Sequence, residues 1–195
     1  VGLRDILTGR HEVKGPAPDR LFAISTAYVT LQSEHQIDPA GSAAIVFQAL
    51  ATSEFEGTLT EMEQLVRATG GESGTTVASE DDSYGYRWMV LRNPDPTQSV
   101  EDLAVGINAV SGSIETAGHG ERLLCAVFAF QDPAKHSVYF IYNYKRGFWY
   151  PFVPDPARDK ERLTERELQI KAQIDRELPV EPEIERWFPL WGIPI

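Results

Sequence analysis

Leu123-Leu124-Cys125-Ala126-Val127-Phe128-Ala129-Phe130 is the stretch that decides the fold. Every position is apolar, so as an extended chain it would have no face fit for water. That pattern reads as a central strand covered on both sides. Asp132-Pro133-Ala134-Lys135 turns the chain back into residues 138–144, which completes a β-hairpin. Just upstream lies the cleanest helical periodicity in the chain. Leu103, Ile107, Val110 and Ile114 line one side, Ser99 with Asp102 forms a capping box, and Gly118 closes the helix. The hairpin is expected at the centre of an antiparallel sheet, with this helix packed across it.

Working outward, Leu21, Ile24, Tyr28 and Leu31 give a helix over 19–35 with Asp19 as its cap. Pro39 and Gly41 break the chain before a short strand over 43–47. Thr58-Leu59-Thr60-Glu61 is a second capping box, with Leu59, Met62, Leu65 and Val66 behind it and Gly70-Gly71 as the stop. Strands near 75–79 and 83–92 follow, joined through Glu80-Asp81-Asp82 and ended by Asn93-Pro94-Asp95-Pro96. Residues 148–153 offer one further short strand, and 163–178 a charged helix supported by Glu167 and Lys171 at i,i+4. Residues 179–195, with four prolines and two tryptophans, are expected to form an extended arm anchored by Trp187, Phe188 and Trp191.

The expected organisation is therefore an N-terminal segment and linker over 1–18, one α+β domain over 19–178, and a Pro/Trp arm over 179–195 packed on that domain. The domain should hold an antiparallel sheet of about five strands with helices packed on it. With the helix at Thr58 set aside as an insertion, the element order resembles that of the type III secretion chaperone-like fold.

At 195 residues, 42% hydrophobic and 10% aromatic, the chain can bury a packed core without metal or disulfide. Cys125 is its one cysteine, which points to a reducing compartment, and its apolar setting makes it a small buried hydrophobe rather than a reactive thiol. No run nears the length needed to cross a bilayer and no signal-peptide pattern opens the chain, so a cytoplasmic location is expected. The net charge is −11, and residues 21–154 carry seven Lys/Arg against sixteen Asp/Glu. Such a balance disfavours nucleic acid and anionic lipid as bulk partners. Residues 1–10 place Leu3, Ile6 and Leu7 on one side of a short helix. That segment either touches a membrane peripherally or docks on its own domain.

Catalytic patterns are missing from the sequence. Ala40-Gly41-Ser42 and Ser111-Gly112-Ser113 do not make a nucleophile elbow, and no phosphate-binding glycine loop occurs. His11, His35, His119 and His136 are not at metal-ligand spacing, and no metal or cofactor is expected. Glu80-Asp81-Asp82 can be a cation site or simply a solvated strand connection. His119, in a loop beside Glu121, is the position a small-ligand sensor or an undetected hydrolase would use. Two aromatic groups suggest recognition instead. Tyr84, Tyr86 and Trp88 alternate, as on one strand face, and Lys145 and Arg146 sit together among six aromatics of residues 142–152, Trp149 included. These six named residues are the candidate partner-binding set; the competing reading of the rings is that they belong to the core.

Several segments taken together resemble a known family, the PspA-associated protein PspAB. They are the opening Gly2-Leu3-Arg4-Asp5-Ile6-Leu7-Thr8-Gly9-Arg10, the segment Asp82-Ser83-Tyr84-Gly85-Tyr86-Arg87-Trp88, and Tyr144-Lys145-Arg146-Gly147-Phe148-Trp149-Tyr150-Pro151-Phe152. To these the tail adds Leu178-Pro179-Val180-Glu181-Pro182 and Arg186-Trp187-Phe188-Pro189-Leu190-Trp191-Gly192. The resemblance implies a non-enzymatic adaptor or regulator of a phage-shock membrane-stress system. Its implied partner is a PspA-like coiled-coil protein or another stress component. It brings no set of catalytic residues.

Overall fold

A computed structural model describes residues 18–69, 74–97 and 99–195. The N-terminal segment, most of the linker after it and the Gly70-Gly71 stop lie outside these residues. Among the described residues the elements run α1 (Pro18–Phe22), α2 (Ile24–His35), β1 (Asp38–Gln48), α3 (Ser53–Thr69), β2 (Thr76–Asp81), β3 (Tyr86–Arg92) and α4 (Ser99–Thr116). They continue with β4 (Leu123–Gln131), β5 (Ser137–Asn143), β6 (Phe148–Phe152) and α5 (Thr164–Ile174). All six strands form one antiparallel sheet in the order β2-β3-β1-β4-β5-β6, one strand more than the five or so expected.

The apolar run of β4 sits centrally beside β1, and its two faces enter two different cores. Phe128 and Phe130 point to the helix side with Ile45, Phe47, Leu91 and Phe140. Cys125, Val127 and Ala129 point the other way, among Val46, Trp88, Ile141, Tyr150 and Phe152. On the helix side α4 lies across β1, with Leu103, Ile107, Val110 and Ile114 all buried. Gly106 allows the close approach, because a Cβ there would stand 2.4 Å from a Leu91 methyl. Ile107→Ala is expected to cost about 2–5 kcal/mol in a urea titration, since its site is closed on every side. A loss under 1 kcal/mol would mean that α4 is not clamped to the sheet.

Local chemistry moved several boundaries. Pro39 and Gly41 read as breakers, yet β1 runs through both, because the pairing with β4 slips between Pro39 and Ala43. At this bulge Gly41 takes φ +74°, and a Cβ would meet the Asn93 carbonyl oxygen at 2.8 Å. The helix expected to begin at Thr58 begins at Ser53. Thr52 Oγ1 accepts the Phe55 N–H at 3.3 Å, whereas the Thr58 hydroxyl donates to the Glu54 carbonyl within the helix. Ser99 likewise donates to the Pro96 carbonyl at 2.9 Å instead of closing a box with Asp102.

Residues 179–195 cover the sheet face that the helices leave open. Val180 bridges to Trp149 beside β6, and from there Trp187, Leu190, Trp191, Ile193 and Ile195 pack on the second core. Past this short backbone pairing the arm joins no strand, and side chains reach several of its carbonyls instead. Arg162 donates to the Trp187 carbonyl, Tyr150 to Phe188, Arg92 to Pro194 and Tyr139 to Ile195, at 2.6, 3.0, 2.8 and 3.0 Å. No helix among the described residues is long and apolar enough to cross a membrane.

Candidate functional site

The arm does not close the whole face. Between Phe188–Trp191 and the β2–β3 turn it leaves an apolar groove of about 440 Å³. Trp88, Val46, Cys125 and Tyr150 form its floor, drawn from β3, β1, β4 and β6. Tyr84 and Tyr86 line one side, with Leu124, Asn143 and Lys145 at the end where β5 turns into β6. Tyr84 is 74% exposed and Phe188 58%, so each flanks the opening with a largely wet ring. Exposed aromatics beside a buried apolar floor are unusual on a surface that meets only water.

The turn that carries Tyr84 is built by Asp82. Its Oδ1 accepts the N–H groups of Tyr84 and Tyr86 at 2.8 and 2.9 Å, and its Oδ2 accepts the Trp88 indole N–H at 3.1 Å. Gly85, at φ +84°, completes the reversal. Tyr84 therefore belongs to the turn rather than to β3, and Asp82 orients both the wall and the floor. Burial pushes the Asp82 carboxyl up, but the bonds from the Trp88 indole and from the Tyr86 and Tyr84 amides outweigh it and hold the group below the usual aspartate range. Asp81 pairs instead with Arg87, which also grips Glu56 of α3. Two of the three acidic residues here are thus engaged within the fold.

Of the six candidate partner-binding residues, Tyr84, Tyr86, Trp88 and Lys145 come together at the groove. Arg146 is pinned to the arm, where it pairs with buried Glu181 and, at 3.3 Å, with Glu183. Trp149 is fully buried on the opposite, helix side, and its Nε1 donates to the Arg20 carbonyl at 2.7 Å. Adjacent positions on one strand point to opposite faces, which is why Tyr150 reaches the groove and Trp149 does not. Phe188 and Trp191 also shape the groove. The sequence marked them as anchors without indicating where the arm would lie.

Two other chemical candidates have packing roles. Burial pushes the Cys125 thiol up to about 12, which suits a floor residue and not a nucleophile. His119 stands edge-on to the Phe55 ring, with centroids 5.2 Å apart.

This surface contributes to the acid limb of stability. In Glu181, as in Asp82, burial acts upward and is overcome, here by Arg146 and the Glu183 amide, so its carboxyl is held low. An acid depressed in the folded state adds stability above its unfolded pKa and loses it as pH falls through the folded value. The thermal midpoint is expected to hold from pH 8 to 5 and to fall below about pH 4. The double variant Asp82→Asn, Glu181→Gln should show a shallower fall; an identical acid limb would assign the loss to other carboxylates.

The molecule is thus an open antiparallel α+β sheet, covered by helices on one face and by its own C-terminal arm, with a groove, on the other. The chain matches PspA associated protein B over residues 1–195 and belongs to that family. The family's name records an association with PspA. No curated protein and no solved structure matches the chain.

Proposed function

We propose that the protein is a non-enzymatic adaptor or regulator of a PspA-like membrane-stress system, and that it holds its protein partner in the groove between the β2–β3 turn and the arm. The observation that carries this reading is the pair of exposed rings, Tyr84 and Phe188, set beside the apolar floor of Trp88 and Tyr150. Rigid aromatics around a desolvated pocket are what binding hot spots are made of. The groove's chemistry favours binding over turnover. Its thiol is held protonated by burial, and its one carboxylate is saturated by donors from its own turn.

The test is calorimetric titration of the full chain with PspA from the same host. The double variant Tyr84→Ala, Phe188→Ala should weaken binding at least tenfold while its melting temperature stays close to that of the parent, since both rings are mostly in water. Unchanged affinity would remove the groove from the interface. Hydrolysis of generic ester or phosphoester substrates that is abolished by His119→Ala would overturn the non-enzymatic reading.

A further inference from the structure

The groove's lining carries two charged side chains, Asp82 and Lys145, and they are not equivalent. Asp82 already accepts three hydrogen bonds, two from amides of its turn and one from the Trp88 indole. It has little capacity left for a ligand's cation, and drawing it away would release the ring that floors the pocket. Lys145 is the opposite case. Its backbone N–H is fixed by Asn143 Oδ1 at 3.0 Å, so the residue is held in place at the groove's end. Its ammonium is exposed and, among the described residues, has no hydrogen-bond or ion-pair partner. Neighbouring Arg146 does not compete for the same ligand, because Glu181 and Glu183 hold it.

From this asymmetry we infer that the groove selects a partner segment in which a large apolar side chain is followed closely by a carboxylate. The apolar group fills the pocket over Trp88 and Tyr150, and the carboxylate meets the Lys145 ammonium at the end of the groove. The inference rests on the reading of the groove as a protein-binding site and names the chemistry of what enters it. It also runs against the chain's overall charge of −11, which taken alone would favour a basic partner. A local cation in a chain of net negative charge adds discrimination, since the overall charge does not draw an acidic segment to the rest of the surface.

Three capped tetrapeptides test it, each with phenylalanine followed by glutamate, glutamine or lysine. Binding to the full chain is read from the indole N–H signals of its tryptophans by NMR. The glutamate peptide should shift the Trp88 and Trp191 signals and leave that of Trp149, which lies in the other core, in place. It should bind at least threefold more tightly than the glutamine peptide and more tightly still than the lysine peptide, with the preference shrinking as salt is raised. Lys145→Gln should abolish the preference, so that the glutamate and glutamine peptides bind alike. Equal binding of all three peptides, or a preference that survives Lys145→Gln, overturns the inference even if Tyr84 and Phe188 still govern PspA binding. Acid selectivity together with PspA binding that ignores every groove variant would overturn the functional reading and leave the ligand chemistry standing. A dimer of the free chain that Phe188→Ser dissolves would place a second copy in the groove and also overturn the inference.

Discussion

Glu167→Leu is expected to lower the unfolding free energy by about 3–5 kcal/mol, and with it the thermal midpoint by about 6–20 °C. Glu167 is fully buried on α5, where its carboxylate accepts the Val153 N–H at 2.8 Å and the Arg162 Nε–H at 2.9–3.0 Å, with Arg162 Nη2 in ion-pair contact at 2.7 Å. Removing it leaves a guanidinium and a backbone amide without their acceptor. The guanidinium also stacks over Phe152 and donates to the Trp187 carbonyl, so α5, β6 and the arm meet at one pair of side chains. Replacing both members, as Arg162→Met with Glu167→Leu, should recover part of the loss, because an apolar pair avoids the cost of burying charge. Recovery will be incomplete, since the Trp187 carbonyl still lacks a donor. Guanidinium titrations of the two variants check both statements. A single variant losing less than 1 kcal/mol would show that water reaches the pair.

The sheet was legible because its signals are local. An unbroken apolar run, the hairpin turn at 132–135 and one amphipathic helix each follow from a few neighbouring residues. Asp82, Asp132 and Asn143 each accept backbone N–H groups of their own turns through Oδ1, and such bonds can be anticipated from the residue type alone. What could not be read was the partner of each exposed-looking ring or charge. Lys145 and Arg146 are chemically alike and adjacent, yet Glu181, thirty-five residues further on, ties down Arg146 and leaves Lys145 at the groove. Trp149 looked like its neighbours until the strand's parity was fixed, and that required the register of β5 against β6. The groove itself is made by the arm's path, which rests on isolated bonds from Arg162, Tyr150, Arg92 and Tyr139 rather than on any periodic pattern.

Trp187→Ala and Trp149→Ala should each cost about 3–5 kcal/mol, and the contrast between them tests how the arm is held. Both rings are buried, but they lie in different cores. Trp187 stacks on Tyr150 with ring centroids 6.4 Å apart, and its indole donates to the Glu181 carbonyl at 3.0 Å. Without it, residues 188–195 lose their nearest apolar anchor, while α4 and the helix-side core keep all their contacts. Limited proteolysis of Trp187→Ala should therefore cut within the arm before the domain unfolds, and hydrogen exchange should rise first at β1, β4 and β5 residues beneath it. The uncovered face, with Val46, Val127 and Ile141, should promote self-association. Trp149→Ala removes the ring that packs against Phe128 and Tyr142 and donates to Arg20. Its backbone still bonds the arm through the Pro179 carbonyl and the Glu181 N–H, at 2.9 and 2.7 Å. That variant should melt early but keep its arm protected until it melts. Partner binding should follow the same division at a temperature where both variants remain folded, with a large loss for Trp187→Ala, whose groove wall is gone, and near-parent affinity for Trp149→Ala. Equal arm protection in the two variants would mean that the arm is held by its carbonyl bonds alone, and the groove would then survive the loss of Trp187.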